Sequence, residues 1–188
     1  ATTEIYTLSL HDALPILGHL HRADGRWRVY VFADTASPRA EDSKVAAWAK
    51  AIEEDPRSFR NRHTPSDGPE DARFDIKVVY QQKQTEFAHP DVPSVFRPTT
   101  GSLGLHDLNN IFATCQPKHG EDIFEARGIS RDGAVVVVRP DQYVSGVFGL
   151  DEVDRLNAFF AGVLPAAGAL TGIRSEERRV GKECRSRW

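Results

Sequence analysis

Two cysteines, seven histidines and a few adjacent carboxylates are the residues of this 188-residue chain whose types could carry chemistry. Dithiol redox work needs two sulfurs close together, usually a C-x-x-C at a helix N-terminus, which lowers the thiol pKa. The cysteines here are Cys115 and Cys184, and neither lies in Asp34–Asp42 (DTASPRAED), where such a motif would follow the first strand. Cys115, in IFATCQP, reads as a small buried residue. Its use as a redox thiol in a free-standing thioredoxin-like or peroxiredoxin-like protein is the alternative. His19 and His21 form an H-x-H pair that alternating strand positions could aim at one ion, but no spacing places a third ligand. His63, His89, His106 and His119 are scattered through polar segments.

Glu53 and Glu54 sit at a predicted helix end and read as a solvated face. No G-x-G-x-x-G follows a strand, and neither a Walker motif nor a G-x-S-x-G elbow occurs. No catalytic, cofactor-binding or metal-ligating residue is therefore assigned in this chain.

The elements that would have to position any such groups are legible. Trp27–Ala33 (WRVYVFA) is nearly continuous in apolarity and predicts a strand buried on both faces. Ser43 offers an N-cap hydroxyl, Val45, Trp48, Ala49 and Ile52 recur at helical spacing, and Pro56 closes the helix. Trp27 and Trp48 read as packing residues. Residues 57–73 are polar and hold Pro65, Gly68 and Pro69, which predicts a loop or a short irregular helix. Phe74–Tyr80 (FDIKVVY) predicts a second strand with Asp75 and Lys77 on a wetter face. Residues 81–105 are rich in proline and without period, a surface excursion.

Ala134–Val138 (AVVVV), the turn at Pro140–Gln142 and Tyr143–Phe148 predict a hairpin. A helix capped by Asp151 should follow, with Val153, Leu156, Phe160 and Val163 on one face and Gly162 and Pro165 near its end. The order βαβ, excursion, ββα predicts an α/β fold: thioredoxin-like, a mixed sheet flanked by helices, without C-x-x-C.

Three stretches carry a family resemblance: Leu17–Asp34, Phe74–Gln82 (FDIKVVYQQ), and Asp122–Leu164. In the last, RGISRDGAVVVVRPDQYV, followed by LDEVDRLNAFFAGVL, is the most specific part. Together they resemble the C-terminal domain of FAD-dependent phenol 2-monooxygenases, of the aromatic hydroxylase family. The resemblance implies a thioredoxin-like domain without redox cysteines that packs on a flavin and substrate domain and contributes to homodimerisation. It also implies that FAD, with NADPH and oxygen as co-substrates, works in a part of the enzyme outside this chain, hydroxylating a phenol beside its hydroxyl group. Ser145–Phe148 (SGVF) and Gln116–Gly120 (QPKHG) depart from that pattern and leave the aromatic substrate open.

The ends read differently. Tyr6–Ile16 (YTLSLHDALPI) and Arg174–Trp188 (RSEERRVGKECRSRW) look like sequencing-adapter DNA read in a protein frame, a recurrent contaminant of assembled metagenomic genes. The expectation is non-native flanks over 1–16 and 174–188, the latter disordered, around a domain of residues 17–173. The absence of methionine fits an internal segment of a longer protein. The formal charge is −3, and the tail's six basic and three acidic residues carry +3 of it, leaving −6 elsewhere. An acidic domain has no electrostatic footprint for nucleic acid. No run is long enough to span a membrane and no signal peptide is visible, so a cytoplasmic address is expected.

Overall fold

A computed structural model describes residues 23–83, 85–101, 103–107, 109–114 and 122–167. The chain forms β1 (Trp27–Phe32), α1 (Lys44–Glu54), α2 (Phe59–His63) and β2 (Phe74–Tyr80). Two single 3-10 turns at His89–Asp91 and Ser94–Phe96 lead to the small hairpin β3 (Thr99–Thr100) and β4 (Leu105–His106). Then come β5 (Ile111–Ala113), α3 (Ile123–Ala126), β6 (Ala134–Val138), β7 (Val144–Phe148) and α4 (Val153–Val163).

The five-stranded sheet runs β5-β2-β1-β6-β7. β1 pairs parallel with β2, and β2 with β5, while β6 lies antiparallel to β1 and β7 antiparallel to β6. This is the thioredoxin-like mixed sheet, extended by one short strand at its β2 edge. β5 and α3 escape the sequence reading because three and four residues are too few to show a period.

Parity decides what each face holds. Trp27, Val29 and Val31 of β1 point with Phe74, Ile76, Val78 and Tyr80 of β2 toward the helices. The predicted face of α1, Val45, Trp48, Ala49 and Ile52, is the one that is buried there. At the foot of this layer Phe160 stacks on Phe59, with ring centroids 4.8 Å apart, and meets Trp27 and Phe74 edge-on at 5.5 and 5.1 Å. The Asn157 side-chain oxygen accepts the first backbone N–H of α2 at 2.8 Å, tying α4 to α2.

Four expectations need correction. The segment 81–105 is not wholly a surface excursion, because Val92, Val95 and Phe96 are buried in the core. Asp151 does not cap α4: the helix starts after Glu152 without a side-chain cap, and the Glu152 carboxylate instead accepts the Gly149 N–H at 2.8 Å. Val163 lies on the half-exposed end of α4, with only Leu156 and Phe160 fully inside. Asp75 and Lys77 do not face water: they are 3% and 4% exposed.

Candidate functional site

The face of the sheet away from α1 and α4 carries the densest chemistry among the described residues. The parallel register sets Arg28 beside Asp75 and Tyr30 beside Lys77, all on this face. Lys77 Nζ donates to Asp75 Oδ1 and to Asn110 Oδ1, both at 2.7 Å. Arg28 approaches the other oxygen of Asp75 at 3.7 Å and donates to Asp24 at 2.8 Å and to the Arg26 carbonyl at 2.6 Å. Arg26 continues the chain outward to Asp24 at 2.8 Å and to Asp71 at 2.5 Å. Three cations thus meet three carboxylates in a ladder running from the entry to β1, across β2, to the residue before β5.

Electrostatics follow from that arrangement. Burial raises the Asp24 carboxyl, but the Arg26 N–H and guanidinium, with Arg28, outweigh it and hold the pKa down at about 2. Burial pushes the Tyr30 phenol up, and the nearby Asp75 charge adds to it. Lys77 and Asp75 satisfy one another inside the protein. The ladder is therefore structural chemistry: it fixes the β1–β2–β5 alignment. Desolvated charges of this kind survive only when paired and hydrogen-bonded. Alternation placed Asp75 and Lys77 on the correct face; what it could not show is that Arg28, inside an apolar run, supplies the third charge.

The second place to look is the turn after β1, where thioredoxin-like proteins keep their thiols. Here Asp34, nearly buried, aims its carboxylate at the N-terminus of α1 and accepts from the backbone N–H groups of Lys44 and Val45 at 3.2 and 3.4 Å. The Ser43 hydroxyl accepts from Ala46 N–H at 3.3 Å, as its N-cap position predicts. The donors that would stabilise a thiolate, or a cofactor's pyrophosphate, are already engaged by a fixed anion. Gln81 and Gln82 brace the turn from the end of β2, their amides donating to Ala33 O and to Thr35 O and Ala36 O at 2.8 to 2.9 Å. These residues do not fit a flavin phosphate, and no redox couple is built at this turn.

The remaining sequence candidates scatter. His63 is fully buried, with Nδ1 2.8 Å from the Pro165 carbonyl, and so clips α2 to the segment after α4. His106 meets the Arg97 carbonyl at 3.0 Å, and His89 begins a surface turn. Among the described residues no three His, Cys, Asp or Glu side chains converge as metal ligands. Glu53 accepts a hydrogen bond from Ser94 at 2.6 Å on the surface. Trp27 and Trp48 are buried packing residues, Trp48 stacked near Phe96. Cys115, Cys184, His19, His21 and His119 lie outside the described residues. No helix among the described residues is long and apolar enough to cross a membrane.

Comparison with known proteins complements this geometry. The family model described as phenol hydroxylase, C-terminal dimerisation domain, matches residues 6–168. The chain is 41% identical over 157 residues to 3-hydroxybenzoate 4-monooxygenase of Comamonas testosteroni, covering 82% of this chain and 25% of that protein. It is 28% identical over 154 residues to the FAD-dependent monooxygenase terD of Aspergillus terreus, covering 80% of this chain and 25% of that protein. It is also 28% identical over 160 residues to the phenol 2-monooxygenase fsqG of Aspergillus fumigatus, covering 81% and 24%. The chain spans about a quarter of the length of the curated relatives it matches.

Proposed function

Because this chain belongs to the family of phenol hydroxylase C-terminal dimerisation domains, we propose that it is the assembly domain of an FAD-dependent aromatic monooxygenase and carries none of that enzyme's catalytic residues. The observation that carries the reading is the closed turn at Asp34: the fold is thioredoxin-like, yet its usual reactive corner is filled by a buried carboxylate capping α1. The family match favours assembly over the redox alternative built on Cys115.

In the whole enzyme, FAD, NADPH and oxygen would act in the domain outside this chain, on a hydroxylated aromatic ring. Two relatives, named for 3-hydroxybenzoate and phenol, suggest the substrates to try. The partners would be that flavin domain and a second subunit, in the cytoplasm. The working part of the chain would be residues 17–173, with 1–16 and 174–188 dispensable.

The test is direct. The 188-residue chain, mixed with excess FAD and passed through a desalting column, should emerge without flavin absorbance and without NADPH oxidation in the presence of either aromatic. Stoichiometric retention of flavin would sink the proposal. Removing 1–16 and 174–188 should leave the unfolding midpoint unchanged; a clear loss of stability would assign the flanks to the fold.

A further inference from the structure

We infer that the outer edge of β7 is the surface on which a second copy of this chain docks, the two β7 strands pairing antiparallel about a two-fold axis. This rests on the assembly reading and goes beyond it by naming the face. β7 ends the sheet order, and β6 is its only strand neighbour among the described residues. An edge strand presents a row of backbone N–H and C=O groups ready to pair with another chain, and proteins usually blunt such edges with charge, proline, a bulge or shortness.

β7 has few of these protections. Its five residues, Val144–Phe148 (VSGVF), contain no charge and no proline. The single register shift lies at the turn end, opposite Val137 and Val138, leaving Gly146–Phe148 in regular pairing. The side chains of β7 are largely committed within the copy, Val144 and Val147 packing half-buried on the chain's own core and Ser145 Oγ lying buried, so the docking element is the main-chain edge.

The occupant follows from the strand itself. An antiparallel pair about a two-fold axis sets each patch against its own copy. An uncharged strand can do this without placing like charges opposite one another. Tyr143, 71% exposed at the start of the strand, lengthens the contact with an aromatic side chain of the kind that anchors interfaces. The joined sheet would double the five strands of one copy. The rival surface is the β3–β4 hairpin, whose Leu103 and Leu105 are 82% and 64% exposed. Two leucines on a short hairpin offer little of the roughly 800 Å² per partner typical of a stable interface, and they add no continuous row of main-chain hydrogen bonds.

Sedimentation equilibrium of the 188-residue chain tests this, with Ser145→Lys beside a Leu103→Asp/Leu105→Asp control. The dimer dissociation constant should rise at least a hundredfold for Ser145→Lys, with far-UV circular dichroism unchanged, and should hold within about threefold for the control. In a Cys115→Ser/Cys184→Ser background, single cysteines placed at 144, 145, 146 and 147 should cross-link copies on oxidation, strongest at one position. This second readout does not depend on Ser145→Lys folding. Cross-linking at none of the four, or dissociation by the hairpin variant alone, overturns the β7 assignment while leaving the assembly reading intact. An unmutated chain that stays monomeric at high concentration overturns both.

Discussion

On one face of the sheet, β1 presents Trp27, Val29 and Val31 to a layer of helices. On the other, the same strand presents Arg28, Tyr30 and Phe32 to a region that is equally dry. The first face is held by apolar area and aromatic packing, whose energy varies smoothly with shape. The second combines an apolar cluster around Tyr30, Phe32 and Phe124 with a ladder of paired charges at Arg28, Asp75 and Lys77, whose energy depends on every member being present. Burial alone does not say which rule applies, and the two faces should respond differently to the same kind of substitution.

The largest effect is expected at the foot of the apolar face. Phe160→Ala should cost about 3–5 kcal/mol in urea unfolding, through lost transfer energy and a cavity among four aromatic neighbours. Phe160→Leu, nearer in volume, should cost markedly less. On the ionic face, keeping the volume should not help. Lys77→Met removes a charge but little bulk, and should still cost about 3 kcal/mol, because Asp75 and Asn110 lose their shared donor. Asp75→Leu combined with Lys77→Met should recover part of that loss. A cycle with no coupling would place the charges in effective contact with water and erase the distinction between the faces.

Smaller effects sharpen the comparison. Asp34→Ala should lower stability by about 1 kcal/mol, the usual worth of a helix cap, without creating redox activity. The rim of the ladder should show in acid. The pKa of Asp24 is depressed to about 2 in the folded chain against roughly 3.9 unfolded. Its contribution is therefore complete above about pH 4 and lost as the pH falls toward 2. Asp24→Asn should flatten that part of the pH–stability curve. The smallest change expected is Gln142→Gly: Gln142 holds φ +71° in the turn between β6 and β7, and relief of that backbone should gain less than about 1 kcal/mol.

Much of the fold was readable in advance, for reasons the residues make plain. Long elements announce themselves: β1, β2, β6 and α1 have continuous or periodic apolar runs, and the apolar face of α1 was legible position by position. Short ones do not. β5 has only three residues to show, and pairing with β2, rather than its own pattern, makes it a strand. The site was legible mainly in the negative, through the cysteine-free turn after β1. That Asp34 occupies the turn, and that Gln81 and Gln82 brace it, depends on contacts between residues more than 40 positions apart in some cases. The wet reading of Asp75 and Lys77 went wrong because alternation reports which face a residue is on, not what covers it. Arg28 is hidden inside an apolar run, and its role comes from its partners Asp24, the Arg26 carbonyl and, through the strand register, Asp75.

We propose that this chain assembles subunits and leaves the chemistry to a domain outside it. The decisive experiment is sedimentation velocity of the 188-residue chain with stoichiometric FAD, followed by protein and by flavin absorbance together. The protein boundary should move as a dimer while the flavin remains behind as a free small molecule. A monomer boundary carrying the flavin with it would contradict both halves of the claim.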